Sequence, residues 1–189
     1  MTKIYQKSYL LGQDTSKRVE LINSFDFDNY DLAYTKITED SEFYYYHQTH
    51  YKKKSLKIKI DEIKSLANTL TYLNNLGYIH GDINRKNILY TDEGFKIIDF
   101  EPSLIQLKNN KKVYMITPPY FIKDNPISFL TDKIGFFYFL LRITKKITSK
   151  DVVYLAKTFN HHKYLPNLEN FTYFDIVDYI FYSPKTFLI

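Results

Sequence analysis

The strongest periodic pattern in the chain lies between residues 60 and 76. Apolar residues recur there at spacings of three and four, at Ile60, Ile63, Leu66, Ala67, Leu70 and Leu73. This spacing places them on one stripe and predicts an amphipathic helix. Gly77 follows at the position where a left-handed C-terminal cap is favoured. Residues 131–143 predict a second helix, and apolar residues surround it almost completely, which is typical of a helix buried inside a lobe.

Between these two helices the pattern changes to short apolar segments. Residues 88–90 and 95–98 are each a short apolar run. The sequence Thr-Asp-Glu-Gly at 91–94 lies between them and is rich in turn-forming residues. We therefore predict a β-hairpin here.

The N-terminal part of the chain has weaker patterns. Residues 3–11 and 31–37 predict short strands, and residues 17–22 predict either a strand or a fragment of helix. The polar stretch 25–31 contains Asp and Asn and predicts a hairpin turn. Residues 38–51 are acidic and then rich in tyrosine, and we expect them to be irregular.

The remaining segments complete an α+β arrangement. The chain is expected to be polar and irregular from Asp99 to about residue 128, with further helices around 149–158 and 173–182. If there are two lobes, the acidic and tyrosine-rich stretch 38–51 is the natural hinge. We predict a small β-rich lobe over residues 1–45 and a larger, mainly helical lobe over residues 46–189.

Composition excludes several classes of protein. The 189 residues include no cysteine, so neither a disulfide framework nor a thiolate zinc site is possible. The longest apolar run, Ile134 to Leu141, is much shorter than the ~20 residues that a helix needs to cross a bilayer. Since no signal-type segment is apparent either, we expect a cytoplasmic protein without a membrane span.

The formal net charge of +5 is partly due to one lysine cluster. Five lysines lie between Lys52 and Lys59, and the tyrosines at 44–46 and 51 are close enough in sequence to offer stacking surfaces for bases. No recognised nucleic-acid motif accompanies them. We interpret the cluster as a solvated surface and do not expect a nucleic-acid partner.

The chemistry of the chain is concentrated in one loop and the hairpin after it. The loop presents Asp82 and, five residues later, Asn87; Asp99 follows the second strand of the predicted hairpin. Because a hairpin turns the chain back on itself, Asp99 is expected to return close to Asn87. Carboxylate and amide oxygens are hard ligands that suit Mg²⁺. The sequence therefore predicts a magnesium site at the open end of the hairpin.

These residues resemble two motifs of the protein-kinase-like superfamily. His80-Gly81-Asp82 with Asn87 resembles its catalytic loop, H-R-D-x-x-x-x-N, and Ile98-Asp99-Phe100-Glu101 resembles its metal-binding D-F-G. The resemblance implies a minimal protein-kinase-like fold that uses ATP and Mg²⁺. By position, Asp82 would orient the acceptor hydroxyl and take its proton, while Asn87 and Asp99 would hold the metal. His80 would support the loop through hydrogen bonds.

The resemblance extends further along the chain. Thr117-Pro118-Pro119-Tyr120 resembles the T-P-x-Y that ends an activation segment, and Asp132 resembles the helix residue that braces the catalytic loop. Lys7 is the candidate for the lysine that anchors the nucleotide, with Lys3 behind it, and Glu20 is its candidate ion-pair partner. Lys86 or Arg85 is placed to contact a phosphate, although both equally suit a solvated surface.

Two departures from the family pattern keep alternatives open. Gly81 replaces the arginine of H-R-D, and Glu101 replaces the glycine of D-F-G, as in small-molecule kinases. No G-x-G-x-x-G segment is present to cover the phosphates. We predict a phosphotransferase acting on a hydroxyl acceptor, with a protein favoured over a small molecule or a sugar of the lipopolysaccharide-core type. The alternative is a pseudokinase that acts as a binding module.

Overall fold

A computed structural model of the chain describes residues 1–11, 15–55, 59–115, 127–146, 148, 150–151 and 168–182. The described residues form a mixed α+β structure, as predicted. The chain divides into two compact units: Met1–Ser55 with Asn87–Met115, and Leu56–Lys86 with Ile116–Ile189. The predicted boundary at residue 45 falls inside a strand, residues 43–48, that is paired on both of its edges, and the first stretch of the first unit runs to Ser55.

The first unit is built on a three-stranded antiparallel sheet. Its strands are β1 (Thr2–Gln6), β3 (Thr35–Glu39) and β4 (Phe43–Gln48), in the order β1-β4-β3. In β4 alternate side chains are buried, among them Tyr44 and Tyr46. Helix α1 (Thr15–Asn23) buries Val19 and Ile22 and contacts β3.

Two further pairings complete the first unit. Strands β5 (Ile88–Thr91) and β6 (Gly94–Ile97) form the predicted hairpin, and Gly94 takes the positive φ (94°) of its turn. A second small sheet contains β2 (Leu10–Leu11), β7 (Ile105–Lys108) and β8 (Lys111–Tyr114). The segment before β3 is tied to β6, since the Ile97 carbonyl accepts a hydrogen bond from the Ala33 amide at 2.8 Å.

The second unit is helical in its described part. Helix α2 (Ile60–Asn75) buries the predicted apolar stripe from Ile63 onward, while Ile60 is half-buried, and Gly77 after the helix has a φ of 77°. Helix α3 (Phe129–Ile143) is buried along almost its whole length, and α4 (Tyr173–Tyr182) packs on both α2 and α3. The near-complete burial of α3 agrees with its all-round apolar sequence.

Three predictions about the weaker segments were wrong. Residues 38–51 are not irregular, because they include all of β4 and the end of β3. Tyr44 and Tyr46 are buried and Tyr45 between them is not. Because all three residues are tyrosine, the alternation of buried and exposed positions that is typical of a strand cannot be seen in the sequence. Residues 25–31 contain a turn at 27–29, as expected, but it does not belong to a hairpin; the stretch connects helix α1 to the sheet. The polar stretch after Asp99 contains the β7–β8 hairpin, which turns at Asn109 and Asn110 with φ of 51° and 59°.

Other predictions fall largely or wholly outside the described residues. Thr117 to Tyr120 lies there, as does most of the helix expected around 149–158. The helix expected at 173–182 is confirmed as α4. Within the described part of the chain, no helix combines the length and the apolar character that crossing a membrane requires.

Candidate functional site

The open end of the β5–β6 hairpin brings Asn87 and Asp99 into proximity. The last paired residues are Ile88 and Ile97, and beyond them the Ile98 amide donates to the Asn87 carbonyl at 2.9 Å. Asp99 therefore leaves the hairpin beside Asn87. Asn87 is buried, and the Asp99 side chain is 27% exposed. The structure thus places these two residues next to each other, as the sequence predicted, and keeps the carboxylate accessible.

Asp99 has an unusual backbone conformation. Its φ is 68°, in the left-handed region that residues with a Cβ rarely adopt. Such a conformation costs free energy and persists only where the surrounding structure fixes it. Here the hairpin fixes the preceding residues, and Phe100 is completely buried and packs edge-on against Phe25. The geometry therefore holds the Asp99 carboxylate at a defined position.

Lys3 on β1 provides a positive charge at this position. Its ammonium forms an ion pair with the Asp99 carboxylate and contacts Glu101 Oε1 at 3.3 Å. It also lies 5.7 Å from the centre of the Tyr46 ring, within the range of a cation–π contact. Burial alone would lower the pKa of Lys3, but the hydrogen bond with Asp99 and the charges of both carboxylates outweigh it, so the pKa is raised. The ammonium is therefore charged at neutral pH.

Glu101 is the most buried charged group of this cluster. Its side chain is only 12% exposed. Burial raises its pKa, as does the charge of Asp99, while Lys3 acts in the opposite direction. Glu101 Oε2 and the hydroxyl of Tyr5 are both buried, and the two side chains interact with each other. Burial first, and then the charge of Glu101, raises the pKa of Tyr5, so this hydroxyl stays protonated.

The predicted pairing of Lys7 with Glu20 is absent. Lys7 Nζ contacts Glu39 Oε2 and the Asp40 carbonyl, both at 2.6 Å, while Glu20 is exposed on α1. The physical reason is that β1 ends at Gln6, and Lys7 begins a 3-10 turn. The two-residue alternation that points Lys3 and Tyr5 inward does not continue to Lys7. Helix α1 instead contributes Arg18, whose Nε donates to the Glu101 carbonyl at 2.8 Å.

The loop with Asp82 belongs to the second unit, where α3 braces it. The two carboxylate oxygens of Asp132 accept hydrogen bonds from the His80 and Gly81 amides, each at 2.7 Å. Gly81 has a φ of 83°, which explains why glycine occupies this position. His80 is buried, and its Nδ1 accepts a hydrogen bond from the Asp82 amide at 3.3 Å. His80 thus supports the loop through hydrogen bonds.

Hydrogen bonds within the loop orient the Asp82 side chain. Asn84 Nδ2 donates to Asp82 Oδ1 at 2.7 Å and to the Asp82 carbonyl at 3.2 Å. Asn84 Oδ1 in turn accepts from the Lys86 amide at 2.7 Å, while the Lys86 residue is exposed. The carboxylate of Asp82 is therefore held by its own loop.

Gly135 on α3 allows the helix to approach this loop closely. A Cβ at this position would lie 2.5 Å from the Ile83 carbonyl oxygen and 3.0 Å from the Ile83 Cβ. Both distances are shorter than van der Waals contact, so only glycine fits here. Asp132 and Gly135 together hold the loop from adjacent turns of one helix.

The donor set at the hairpin fits a divalent cation. Magnesium in nucleotide sites takes oxygen from one or two protein groups and the rest from phosphates and water. The Asp99 carboxylate and the Asn87 amide are groups of this kind. Over the described ranges, no three His, Asp or Glu side chains are grouped so that they could hold a metal ion. A metal here would therefore depend on phosphate and water ligands as well.

Comparisons with known proteins add no family assignment. Neither the protein-family models nor the curated proteins that were compared with the chain gave a match. The function must therefore be argued from the residues and their geometry.

Sequence reasoning missed three residues of this site. It ranked Lys3 behind Lys7, gave Arg18 no role, and did not recognise Gly135 as a contact residue. For Lys3 the local pattern gave no signal, because Ile4, which lies between Lys3 and Tyr5 on the strand, is apolar and yet 63% exposed. For Arg18 and Gly135 the contacts join segments 83 and 52 residues apart, and no local pattern reports them.

Proposed function

We propose that this chain is an ATP- and Mg²⁺-dependent phosphotransferase with a reduced protein-kinase-like fold. It transfers the γ-phosphate to a hydroxyl group, with a protein as the favoured acceptor. The observation that carries the proposal is the adjacency of Asn87, Asp99 and Lys3 at the open end of the hairpin. Phosphoryl transfer uses protein oxygen ligands for a divalent cation and a positive charge for the phosphate oxygens. Asn87 and Asp99 offer the two oxygen ligands, and Lys3 offers the ammonium.

The architecture supports the same proposal. The first unit has a small antiparallel sheet with one helix against it, followed by a hairpin that ends in Asp99. The described part of the second unit is helical and carries the loop with Asp82 on a buried central helix. This order of elements resembles a reduced N-lobe and a helical C-lobe.

In the proposed reaction each residue has a limited task. Asp82 accepts the proton of the acceptor hydroxyl as its oxygen bonds to the γ-phosphorus. The bond from the γ-phosphorus to the bridging oxygen breaks, and ADP leaves with that electron pair. Lys3 would bind the nucleotide phosphates, and Asn87 and Asp99 would hold the metal, which would supply neutralisation of phosphate charge. The brace from Asp132 and the hydrogen bond from Asn84 keep Asp82 in position before substrate arrives.

The choice of acceptor depends on sequence features alone. The Thr117 to Tyr120 segment favours a protein acceptor, whereas Gly81 and Glu101 are typical of small-molecule and sugar kinases. A panel of protein and sugar acceptors with radiolabelled ATP distinguishes the two.

One observation favours a second candidate function, a binding module without phosphotransferase activity. Lys3 pairs directly with Asp99, so the carboxylate that would hold the metal already has a cationic partner. If that pair does not open, neither metal nor nucleotide binds. A thermal-shift titration with ATP and Mg²⁺ separates the two functions, because only a bound ligand raises the melting temperature by mass action.

The decisive experiment measures nucleotide binding and γ-phosphate transfer on the same variants. We expect Asp99→Ala to lose Mg²⁺-dependent ATP binding, and Asp82→Asn to keep binding while losing transfer. Lys7→Met is the matched control, because Lys7 pairs with Glu39 and not with the site. Equal transfer by the wild type and Asp82→Asn would contradict the proposal, as would the absence of any ATP-induced shift in the wild type.

A further inference from the structure

The cluster at the hairpin end contains one ammonium and two carboxylates. Lys3 contacts both Asp99 and Glu101, and these two acids are separated by only one residue. In the proposed reaction the Asp99 carboxylate must coordinate a divalent cation instead of pairing with Lys3. Lys3 then needs another anion to keep it in place, and Glu101 is the carboxylate that already contacts it.

Helix α1 does not supply this anion. Glu20, its candidate, is exposed, and Lys7, the lysine expected to pair with it, binds Glu39 on the neighbouring strand β3. The helix instead presents a cation: Arg18 Nε donates to the backbone carbonyl of Glu101. The acid that contacts Lys3 is therefore Glu101, which lies on the segment after the β5–β6 hairpin. Helix α1 fixes this segment through the hydrogen bond from Arg18 to the Glu101 backbone carbonyl.

We propose that Glu101 is the positioning residue for Lys3, and that Arg18 secures Glu101 from α1. The inference rests on the proposed phosphotransferase function, in which Lys3 binds the nucleotide phosphates. Glu101 holds the ammonium near the phosphates when Asp99 is engaged by the metal.

The surroundings of Glu101 suit this role. Its side chain is largely buried, and Tyr5 and Tyr46 cover the cluster from strands β1 and β4. A charge pair screened from water is stronger than one on the surface, since the effective dielectric constant is lower. Glu101 Oε2 is buried as well, and the Tyr5 hydroxyl interacts with the carboxylate, so both oxygens of Glu101 lie inside the cluster beside Lys3.

The first test is a double-mutant cycle on ATP binding in the presence of Mg²⁺. We expect Glu101→Gln to weaken binding and to raise the KM for ATP by about tenfold, the effect of losing one charge-assisted hydrogen bond, with a smaller change in kcat. Lys3→Met should weaken binding at least as much. If Glu101 acts through Lys3, the double variant is no worse than Lys3→Met alone.

Two variants provide controls for this cycle. Glu20→Gln removes the exposed acid of α1, and Glu39→Gln removes the partner of Lys7; we expect both to bind ATP like the wild type. A loss with Glu20→Gln equal to that with Glu101→Gln would overturn the inference. So would additive losses in the double variant, because they would mean that Glu101 acts independently of Lys3.

A second test needs no nucleotide. Acylation of lysine amines, followed by mass spectrometry, reports how strongly each ammonium is held. We expect Glu101→Gln to increase labelling of Lys3 several-fold and to leave Lys7 unchanged, while Glu39→Gln does the reverse. Unchanged labelling of Lys3 in Glu101→Gln overturns the inference. If the wild type binds no ATP but Lys3 labelling responds to Glu101, the proposed function fails while the Lys3–Glu101 pairing stands.

Folding of the variants is checked by circular dichroism and urea unfolding. If Glu101→Gln does not fold, Glu101→Asp replaces it, since it keeps the charge and shortens the side chain. We then expect an intermediate loss of ATP binding and intermediate labelling of Lys3. Wild-type values for both measurements would overturn the inference.

Discussion

Asp132 in the first turn of α3 accepts a hydrogen bond from the Gly81 amide at 2.7 Å, and its other oxygen accepts one from the His80 amide at the same distance. These two residues are 51 positions apart in the sequence. The pair therefore couples the formation of the loop to the packing of α3, the most buried of the helices described in the second unit.

Removing the Asp132 carboxylate should destabilise the second unit. Asp132→Ala leaves two backbone amides without their acceptor in a site where Asp132 is only 2% exposed. We expect a loss of about 2–4 kcal/mol in the free energy of unfolding, measured by urea denaturation. Asp178→Ala on the exposed face of α4 is the control, with a change within about 0.5 kcal/mol. Similar changes in both variants would contradict a bracing role.

A methyl group at position 135 should displace the loop from α3. Alanine normally favours a helix interior over glycine by about 1 kcal/mol. At Gly135, however, the added Cβ would lie 2.5 Å from the Ile83 carbonyl oxygen. We therefore expect Gly135→Ala to destabilise the protein by about 1–3 kcal/mol and to lower phosphate transfer. Asn68→Ala, at an exposed position of α2, should instead be neutral or slightly stabilising.

Helix α2 and the β5–β6 hairpin could be predicted from short stretches of sequence, because both depend on interactions between residues close together in the chain. The apolar stripe of α2 and the turn residues of the β5–β6 hairpin are each readable within a short window, and both elements formed as predicted. The proximity of Asn87 and Asp99 follows from that hairpin alone. This part of the candidate site was therefore predictable from sequence.

The choice between Lys3 and Lys7 was not predictable in the same way. It depends on where β1 ends, and that is set by pairing with β4, more than 35 residues away. Lys3 meets Asp99 across 96 residues, and no short-range pattern reports a contact of that kind. The hydrogen bonds to Asp132 were anticipated only through the resemblance, because nothing in the local sequence indicates which backbone amides the carboxylate meets.

The turn between β3 and β4 should make stability depend on pH in the acid range. Asp40 accepts hydrogen bonds from the Tyr45 hydroxyl at 2.6 Å and from the Glu42 and Phe43 amides at 2.8 Å. The Tyr45 hydroxyl first, and then these amides, lower the pKa of Asp40 below 3.8. The ionised side chain therefore stabilises the folded state above the unfolded pKa, and this contribution is lost as the pH falls through the lower folded pKa.

Asp40→Asn isolates this effect, because it keeps the size of the side chain and removes its charge. The wild type should be more stable than Asp40→Asn at about pH 6, and the difference should shrink as the pH falls through the acid range. Urea midpoints at a series of pH values measure it. A difference that stays constant over this range would show that the charge of Asp40 does not contribute.

Because the backbone of Asp99 is left-handed, two substitutions that both abolish function should differ in stability. At a φ of 68°, alanine keeps the steric penalty of a Cβ, whereas glycine does not. Both Asp99→Ala and Asp99→Gly lose the ion pair with Lys3, so the comparison between them reports the backbone alone. We expect Asp99→Gly to be more stable than Asp99→Ala by about 1–2 kcal/mol in urea unfolding, while neither binds ATP with Mg²⁺. Equal stabilities would mean that the backbone at this residue relaxes when the carboxylate is removed, and that the pair with Lys3 holds it in the left-handed region.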